Sequence, residues 1–221
     1  MELGTIVTRL ASGAGVTLSL TLAGCALATV LALLAGTARM SRHRSVRWFA
    51  VSYIEVARGA SAYVQLFWLF FVLPLMGLRL TSFQAAALTL GLVSGAYGAE
   101  IVRGALQTVP KGQIEAAIAL NLPPFKRFWR IILPQAFVAT LPPMSNLYVQ
   151  TLKATALASL VGLQDMTYIA QTLRAAMRGN SLPIYSVLLV AYLALALLIV
   201  AGMRGLERLA RRRLGMGPVR A

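Results

Sequence analysis

Ionisable side chains border or interrupt long apolar stretches of this 221-residue chain. Glu55 and Arg58 are three residues apart, as are Glu100 and Arg103, so each pair lies on one face of a helix. A charge at the centre of a bilayer costs about 2.5–3.5 kcal/mol on insertion scales, so such groups pair or face a water-filled cavity. The two pairs fit either local charge neutralisation or a functional gate.

A polar stripe follows further along the chain. Asn146, Gln150 and Lys153 have the spacing i, i+4 and i+7, which places them on one face of an otherwise apolar helix. Because that face is costly against lipid, we expect it to face another helix, where it would hold the bundle together, or a translocation path. The residues considered for a substrate path are Arg58, Gln65, Tyr97, Asn146, Gln150, Lys153 and Thr155.

The sequence contains few residues that could catalyse a reaction. The chain has one cysteine, Cys25, and one histidine, His43, so it offers no disulfide framework and no zinc-ligand spacing. No G-x-x-x-x-G-K-[ST] loop is present for nucleotide binding. We therefore predict no catalytic residue, no cofactor and no metal, and a function other than that of an enzyme.

The elements that position these residues are membrane helices. Hydrophobic residues make up 58% of the chain and charged residues 12%, with a mean hydropathy of +0.74. Apolar runs long enough to cross a bilayer need roughly 20 residues. They occur at 10–38, 59–78, 80–99, 131–152 and 181–203, which predicts an all-α integral membrane protein with about five spans. Pro134, Pro142 and Pro143 predict a late start or a kink in the fourth span.

Basic residues predict the orientation. Lys and Arg number 21 against 6 Asp and Glu, a net charge of +15. Most of the basic residues follow the first span, lie between the third and fourth, or form the carboxy-terminal tail. The positive-inside rule then places the amino terminus outside and the carboxy terminus in the cytoplasm. Because these residues are dispersed among loops, we expect no nucleic acid partner.

The loop between the third and fourth spans carries the most specific pattern. Residues 112–120 predict a short helix, Asn121 suits a left-handed carboxy-terminal cap, and Pro123 and Pro124 prevent its continuation. A second amphipathic piece is predicted at 125–133. From physics alone this helical hairpin could lie on the membrane surface.

The loop resembles the EAA signature of permease subunits of bacterial ABC importers. Glu115-Ala116-Ala117 is followed by Asn121, where the family has glycine, and by Ile131-Ile132-Leu133-Pro134. Gly95-Ala96-Tyr97, Gly112-Gln113 and Leu133-Pro134-Gln135-Ala136 resemble the polar amino-acid branch of histidine and glutamine permeases. The resemblance implies a type I importer fold, with residues 1–221 as one permease domain and 108–133 as a cytoplasmic coupling loop. Its implied ATPase-coupling residues are Gly112, Gln113, Glu115, Ala116, Ala117, Leu120 and Asn121.

The resemblance also implies the partners and the place of action. These are a second permease subunit, identical or paralogous, two cytoplasmic ATPase subunits and an extracytoplasmic solute-binding protein, assembled in the bacterial inner membrane. Residues 53–55, 65–71 and 118–121 are most similar to ectoine and hydroxyectoine permeases, so a compatible solute is the expected cargo, with amino acids as the wider class. Lys153 lacks the aspartate that follows it in the family, because Ala154 stands there.

A carrier driven by an ion gradient is the alternative function. Such a carrier would need acidic residues within the spans to bind protons or sodium ions. Only Glu55 and Glu100 are available, and each has an arginine three residues away.

Overall fold

A computed structural model describes residues 3–176 and 181–214. Within them the chain forms helices and turns and no strands. The helices are α1 (Leu3–Ala38), α2 (Arg44–Gly59), α3 (Ala62–Phe67), α4 (Ser82–Gln107), α5 (Lys111–Ala119), α6 (Pro124–Arg127), α7 (Leu133–Ala154), α8 (Met166–Ala176) and α9 (Leu182–Arg213). Short π-helical or 3₁₀ segments extend α3, α6 and α7.

Three of the described helices, α1, α4 and α9, are long and apolar enough to cross a membrane. A fourth span arises if α2 and the segment Ala62–Met76, which meet at a 101° bend, are counted together. By length and composition the described helices therefore provide three to four spans, whereas the sequence predicts about five. At 22 residues α7 is about 33 Å long, enough to cross, but its polar stripe and prolines lower its hydropathy. The predicted span 59–78 corresponds to the second half of the bent pair, Ala62–Met76.

Small residues bring α1 and α4 into close contact. Gly91, Gly95 and Gly98 are buried on the α4 face that meets α1. A Cβ atom added at Gly98 would lie 2.7 Å from the Cβ of Ala32, and one at Gly95 would lie 2.7 Å from the Cβ of Leu31. Small residues allow backbones to approach this closely, which is the usual source of helix affinity in lipid. The two helices therefore form one packed unit.

A larger apolar core joins this unit to the remaining helices. It contains Leu20, Leu66, Ala86, Leu90 and Ala158, all nearly inaccessible to solvent. These residues come from α1, α3, α4 and the 3₁₀ segment that follows α7. The core therefore packs α3 and the segment after α7 against the α1–α4 unit.

Two π-helical segments precede a Leu-Pro dipeptide. Trp68–Val72 is followed by Leu73-Pro74, and Phe128–Ile132 by Leu133-Pro134. Proline lacks an amide hydrogen and its ring clashes with the carbonyl four residues earlier, so the wider turn relieves that contact. Of the predicted late start or kink, the structure has this wide turn before Pro134, and α7 begins at Leu133 and continues through Pro142 and Pro143.

Candidate functional site

Helix α5 ends as its sequence predicts. Asn121 adopts φ 56°, the one positive φ of a non-glycine residue in the described chain. The Leu122 amide donates to the Ala117 carbonyl at 3.0 Å, and the Asn121 amide donates to the Ile118 carbonyl at 2.8 Å. This pair of bonds is a Schellman motif, which satisfies carbonyls left free by the helix end. The predicted helix at 112–120 and its left-handed cap are confirmed.

One face of α5 points into the protein and the rest is open. Ala117 is only 2% exposed, whereas Leu120 is 75% exposed. The other predicted coupling residues are all exposed: Gly112, Gln113, Glu115, Ala116 and Asn121. Ile118, next to Ala117 in the chain, is 55% exposed. We call the exposed residues Gly112, Gln113, Glu115, Ala116, Leu120 and Asn121 the α5 surface.

A side-chain hydrogen bond joins the α5 surface to α7. The Gln135 side-chain amide donates to the Gln113 side-chain oxygen at 2.6 Å and to the Ile131 carbonyl at 2.9 Å. The second amphipathic piece, predicted at 125–133, is helical and is continuous with α7 through the π-helical segment Phe128–Ile132. The helix passes Pro134 without ending because of this wide turn, so the predicted piece and the fourth span form one helix.

The two acid–base pairs differ in the structure. Arg103 donates to the Glu100 carboxylate from Nε at 3.0 Å, and Arg39 contacts the other carboxylate oxygen. Arg39 follows α1, so this cluster joins the ends of α1 and α4 next to the loop. Glu55 and Arg58, by contrast, are both exposed and form no ion pair within the described residues. Local neutralisation is therefore confirmed for Glu100 alone.

Arg58 instead contacts a residue of α4. Its guanidinium carbon lies 5.1 Å from the centre of the Tyr97 ring, a cation–π contact, and both side chains remain exposed. Gln65 lies nearby in the chain but is occupied, because its amide nitrogen donates to the carbonyls of Ala57 at 2.9 Å and Ala60 at 3.1 Å. Gln65 thus satisfies carbonyls freed by the break between α2 and α3.

The polar stripe lies on the outside of the single chain. Asn146, Gln150 and Lys153 are all exposed on α7. Beside them, the hydroxyls of Ser94 and Thr151 are hydrogen-bonded at 2.8 Å and join α4 to α7. We call these two exposed groups together, Arg58 with Tyr97 and the α7 residues Asn146, Gln150 and Lys153, the polar face.

Thr155, the remaining candidate for the path, is separate from the polar face. It is fully buried, and its hydroxyl donates to the Leu152 carbonyl at 2.7 Å. The hydroxyl oxygen of Tyr192 lies 3.5 Å from it. Its contacts are therefore with the interior of the chain and with α9.

Asp165 is a buried acid that sequence reasoning missed. Its carboxylate accepts the Tyr168 amide at 2.8 Å and the Tyr192 hydroxyl at 3.4 Å. Burial raises the pKa of the Asp165 carboxyl, and these hydrogen bonds oppose the rise. Asp165 directly precedes α8, where an aspartate commonly caps a helix. This position was the sequence signal that could have identified it.

Comparison with known proteins connects these surfaces to transport. Residues 28–214 match the family described as the inner membrane component of binding-protein-dependent transport systems. A probable amino-acid ABC transporter permease of Sinorhizobium fredii, y4tF, is 43% identical over 90% of this chain and 85% of its own. The glutamine transport system permease GlnP of Escherichia coli K12 is 37% identical over 90% of this chain and 91% of its own.

A solved structure has the same fold. It is described as an amino acid ABC transporter with histidines, and its chain is 29% identical with a TM-score of 0.85. The match covers 94% of this chain and 98% of that one.

The fold and the loop together define a membrane permease subunit of the type I ABC importer class. The chain belongs to the family of inner membrane components of binding-protein-dependent transport systems. Members are permeases and not enzymes, and the ATPase is a separate subunit.

Proposed function

We propose that this chain is the permease subunit of an ATP-driven importer for amino acids or related compatible solutes, with the α5 surface as the ATPase dock. The observation that carries the proposal is the connection of this surface to the polar face through one helix. Helix α7 contacts Gln113 through Gln135 at one end and carries Asn146, Gln150 and Lys153 further along. A displacement of α5 is therefore transmitted to the residues that would line the path.

The exposure of the polar face supports a dimeric path. A stripe with an amide, a second amide and an ammonium group is costly against lipid. Its three side chains are exposed among residues 3–176 and 181–214, so a second permease subunit would cover them and enclose a polar passage. The related structures are of ABC transporters, whose class implies a partner permease and an ATPase.

The chemistry of the polar face supports a compact zwitterion as cargo. Arg58 can bind a carboxylate through two parallel N–H donors, and its contact with Tyr97 holds the guanidinium in place. Amide side chains at 146 and 150 offer donors and acceptors for the remaining polar groups. Ectoine and hydroxyectoine are the preferred compatible solutes, from the likeness of residues 53–55 and 65–71, and glutamine is the cargo that the name of one relative gives.

The proposed assembly lies in the bacterial inner membrane, with the amino terminus outside and the α5 surface in the cytoplasm. The distribution of arginines supports this orientation. An extracytoplasmic solute-binding protein would deliver the cargo to the opposite side. Rocking of α7 between two states, biased by ATPase closure, would then alternate access to the polar face.

Charge reversal on the α5 surface tests the proposal. We expect Glu115→Lys to abolish ATP-dependent uptake in proteoliposomes while insertion of the subunit into the membrane is unchanged. The matched control is Arg174→Glu, a charge reversal at an exposed residue of α8, which should transport normally. Wild-type uptake by Glu115→Lys would contradict the coupling assignment.

The same vesicles separate the importer from a carrier driven by an ion gradient. Within the described spans, Glu100 is occupied by two arginines and so is a poor site for a coupling ion. Uptake should therefore survive an ionophore and stop without ATP. The opposite result would favour the carrier.

A further inference from the structure

A cavity of about 310 Å³ lies among α1, α4, α7 and α9, apart from both surfaces above. Its wall is apolar almost throughout, with Leu33, Val102, Phe137, Leu141 and Met203 among the lining residues. The volume falls within the usual range for ligand pockets.

The cavity and the polar face lie on opposite sides of the same helices. Successive residues of a helix turn by about 100°. On α4, the cavity residue Leu106 is nine residues from Tyr97, which places it half a turn away. On α7, the cavity residues between Leu133 and Tyr148 lie roughly opposite the stripe of Asn146, Gln150 and Lys153. The cavity is therefore outside the proposed path.

One end of the cavity adjoins the basic loops. Thr29 and Tyr148, hydrogen-bonded at 2.7 Å, mark one end. The other end is lined by Thr37, Leu106, Phe128 and Leu206, each near the end of its helix. This second end is called the loop end.

Two arginines on the elements that line the loop end have no acidic partner in the described part of the chain. Arg127 immediately precedes Phe128, and Arg213 lies seven residues after Leu206 and so on the same face of α9. Neither forms an ion pair within residues 3–176 and 181–214, whereas nearby Arg39 and Arg103 share Glu100, and Arg211 pairs with Glu207. The elements that line the loop end therefore carry two unpaired arginines close in sequence to cavity residues.

We propose that this cavity binds one acyl chain of an anionic phospholipid, whose phosphate lies against Arg127 and Arg213. An apolar cavity between membrane helices with basic side chains at its mouth has the chemistry that recognises such lipids. A zwitterionic lipid can supply the chain but not the net charge. The two arginines therefore select the lipid by its headgroup, and the apolar cavity holds its acyl chain.

Lipid retention by the purified full chain tests the proposal. After delipidation in detergent, phosphatidylglycerol and phosphatidylcholine are added in equal amounts and the bound lipid is counted by native mass spectrometry. We expect at least a fivefold preference for phosphatidylglycerol. The double variant Arg127→Gln/Arg213→Gln should lose that preference, whereas Arg204→Gln, on another face of α9, should keep it. Equal retention of the two lipids, or equal loss in the control, would overturn the proposal.

A second pair of variants tests the acyl-chain site. Leu33 lines the cavity and Leu34 does not, and both are exposed, at 51% and 62%, so either position accepts a large side chain. Leu33→Trp should reduce phosphatidylglycerol retention several-fold and Leu34→Trp should not. If soluble glycerol phosphate raised the melting temperature as much as the lipid does, the cavity would have no part in binding and the proposal would fail.

Discussion

The cap of α5 gives the sharpest quantitative prediction. Asn121 is exposed with φ 56°, and its side chain forms no hydrogen bond within the described residues. Its contribution to the stability of the cap therefore comes from its backbone conformation. An L-residue other than Asn or Gly pays about 1–2 kcal/mol for the left-handed conformation. Asn121→Ala should therefore raise the free energy of the capped state by about 1 kcal/mol, which favours opening about fivefold.

Hydrogen exchange of the loop amides measures this opening directly. The Leu122 amide, held to the Ala117 carbonyl at 3.0 Å, should exchange about fivefold faster in Asn121→Ala. It should exchange faster still in Asn121→Val, because a β-branched residue tolerates positive φ least. Asn121→Gly, which restores the residue typical of the family, should stay near the wild-type rate.

The control for this series is Leu120→Ala. Leu120 has φ −80°, which alanine adopts without strain, so its substitution should leave the Leu122 exchange rate nearly unchanged. The backbone argument would be refuted if Asn121→Ala exchanged at the wild-type rate, or if Asn121→Gly accelerated exchange as much as Asn121→Ala.

Three further predictions concern stability. Gly98→Leu should cost about 1–3 kcal/mol through overpacking against Ala32, seen as a lower melting temperature in detergent, while Gly104→Leu, with open space around its Cβ position, should cost little. Glu100→Gln should lower stability by about 1 kcal/mol, between the values for exposed and buried ion pairs, and the loss should shrink in high salt. Because burial raises the pKa of Asp165 in the folded chain, its ionisation opposes folding: stability should fall as the pH rises above about 4, and Asp165→Asn should flatten this slope in melting curves taken across pH.

Local signals explain what sequence reasoning could predict. The end of α5 depended only on Asn121 and two prolines, and the amphipathic spacing on α7 depended on helix periodicity alone. Both are short-range properties, and the structure has the predicted cap and the exposed stripe. The span expectation failed where a helix bends, because hydropathy records composition and not the 101° change of direction after Gly59.

Long-range partners explain the rest. The same i, i+3 spacing gives an ion pair at Glu100 and none at Glu55, because Arg39 and Tyr97 come from elsewhere in the chain. The contacts of Thr155 and Asp165 with Tyr192 likewise depend on α9, which is 27 residues or more away. The spacing of residues along one helix does not predict contacts between distant parts of the chain.

The π-helical turn at Phe128–Ile132 determines how the residues before it are rotated about the helix axis relative to those after it. Its hydrogen bonds span five residues in place of four, so it holds one residue more than an α-helical turn. Removing one residue there would rotate Phe125 and Lys126 by about 100° about the helix axis relative to Asn146 and Gln150. The direction in which the loop points is thus set by a single extra residue, and a one-residue deletion would misalign the two ends of the subunit while leaving every side chain of both surfaces intact.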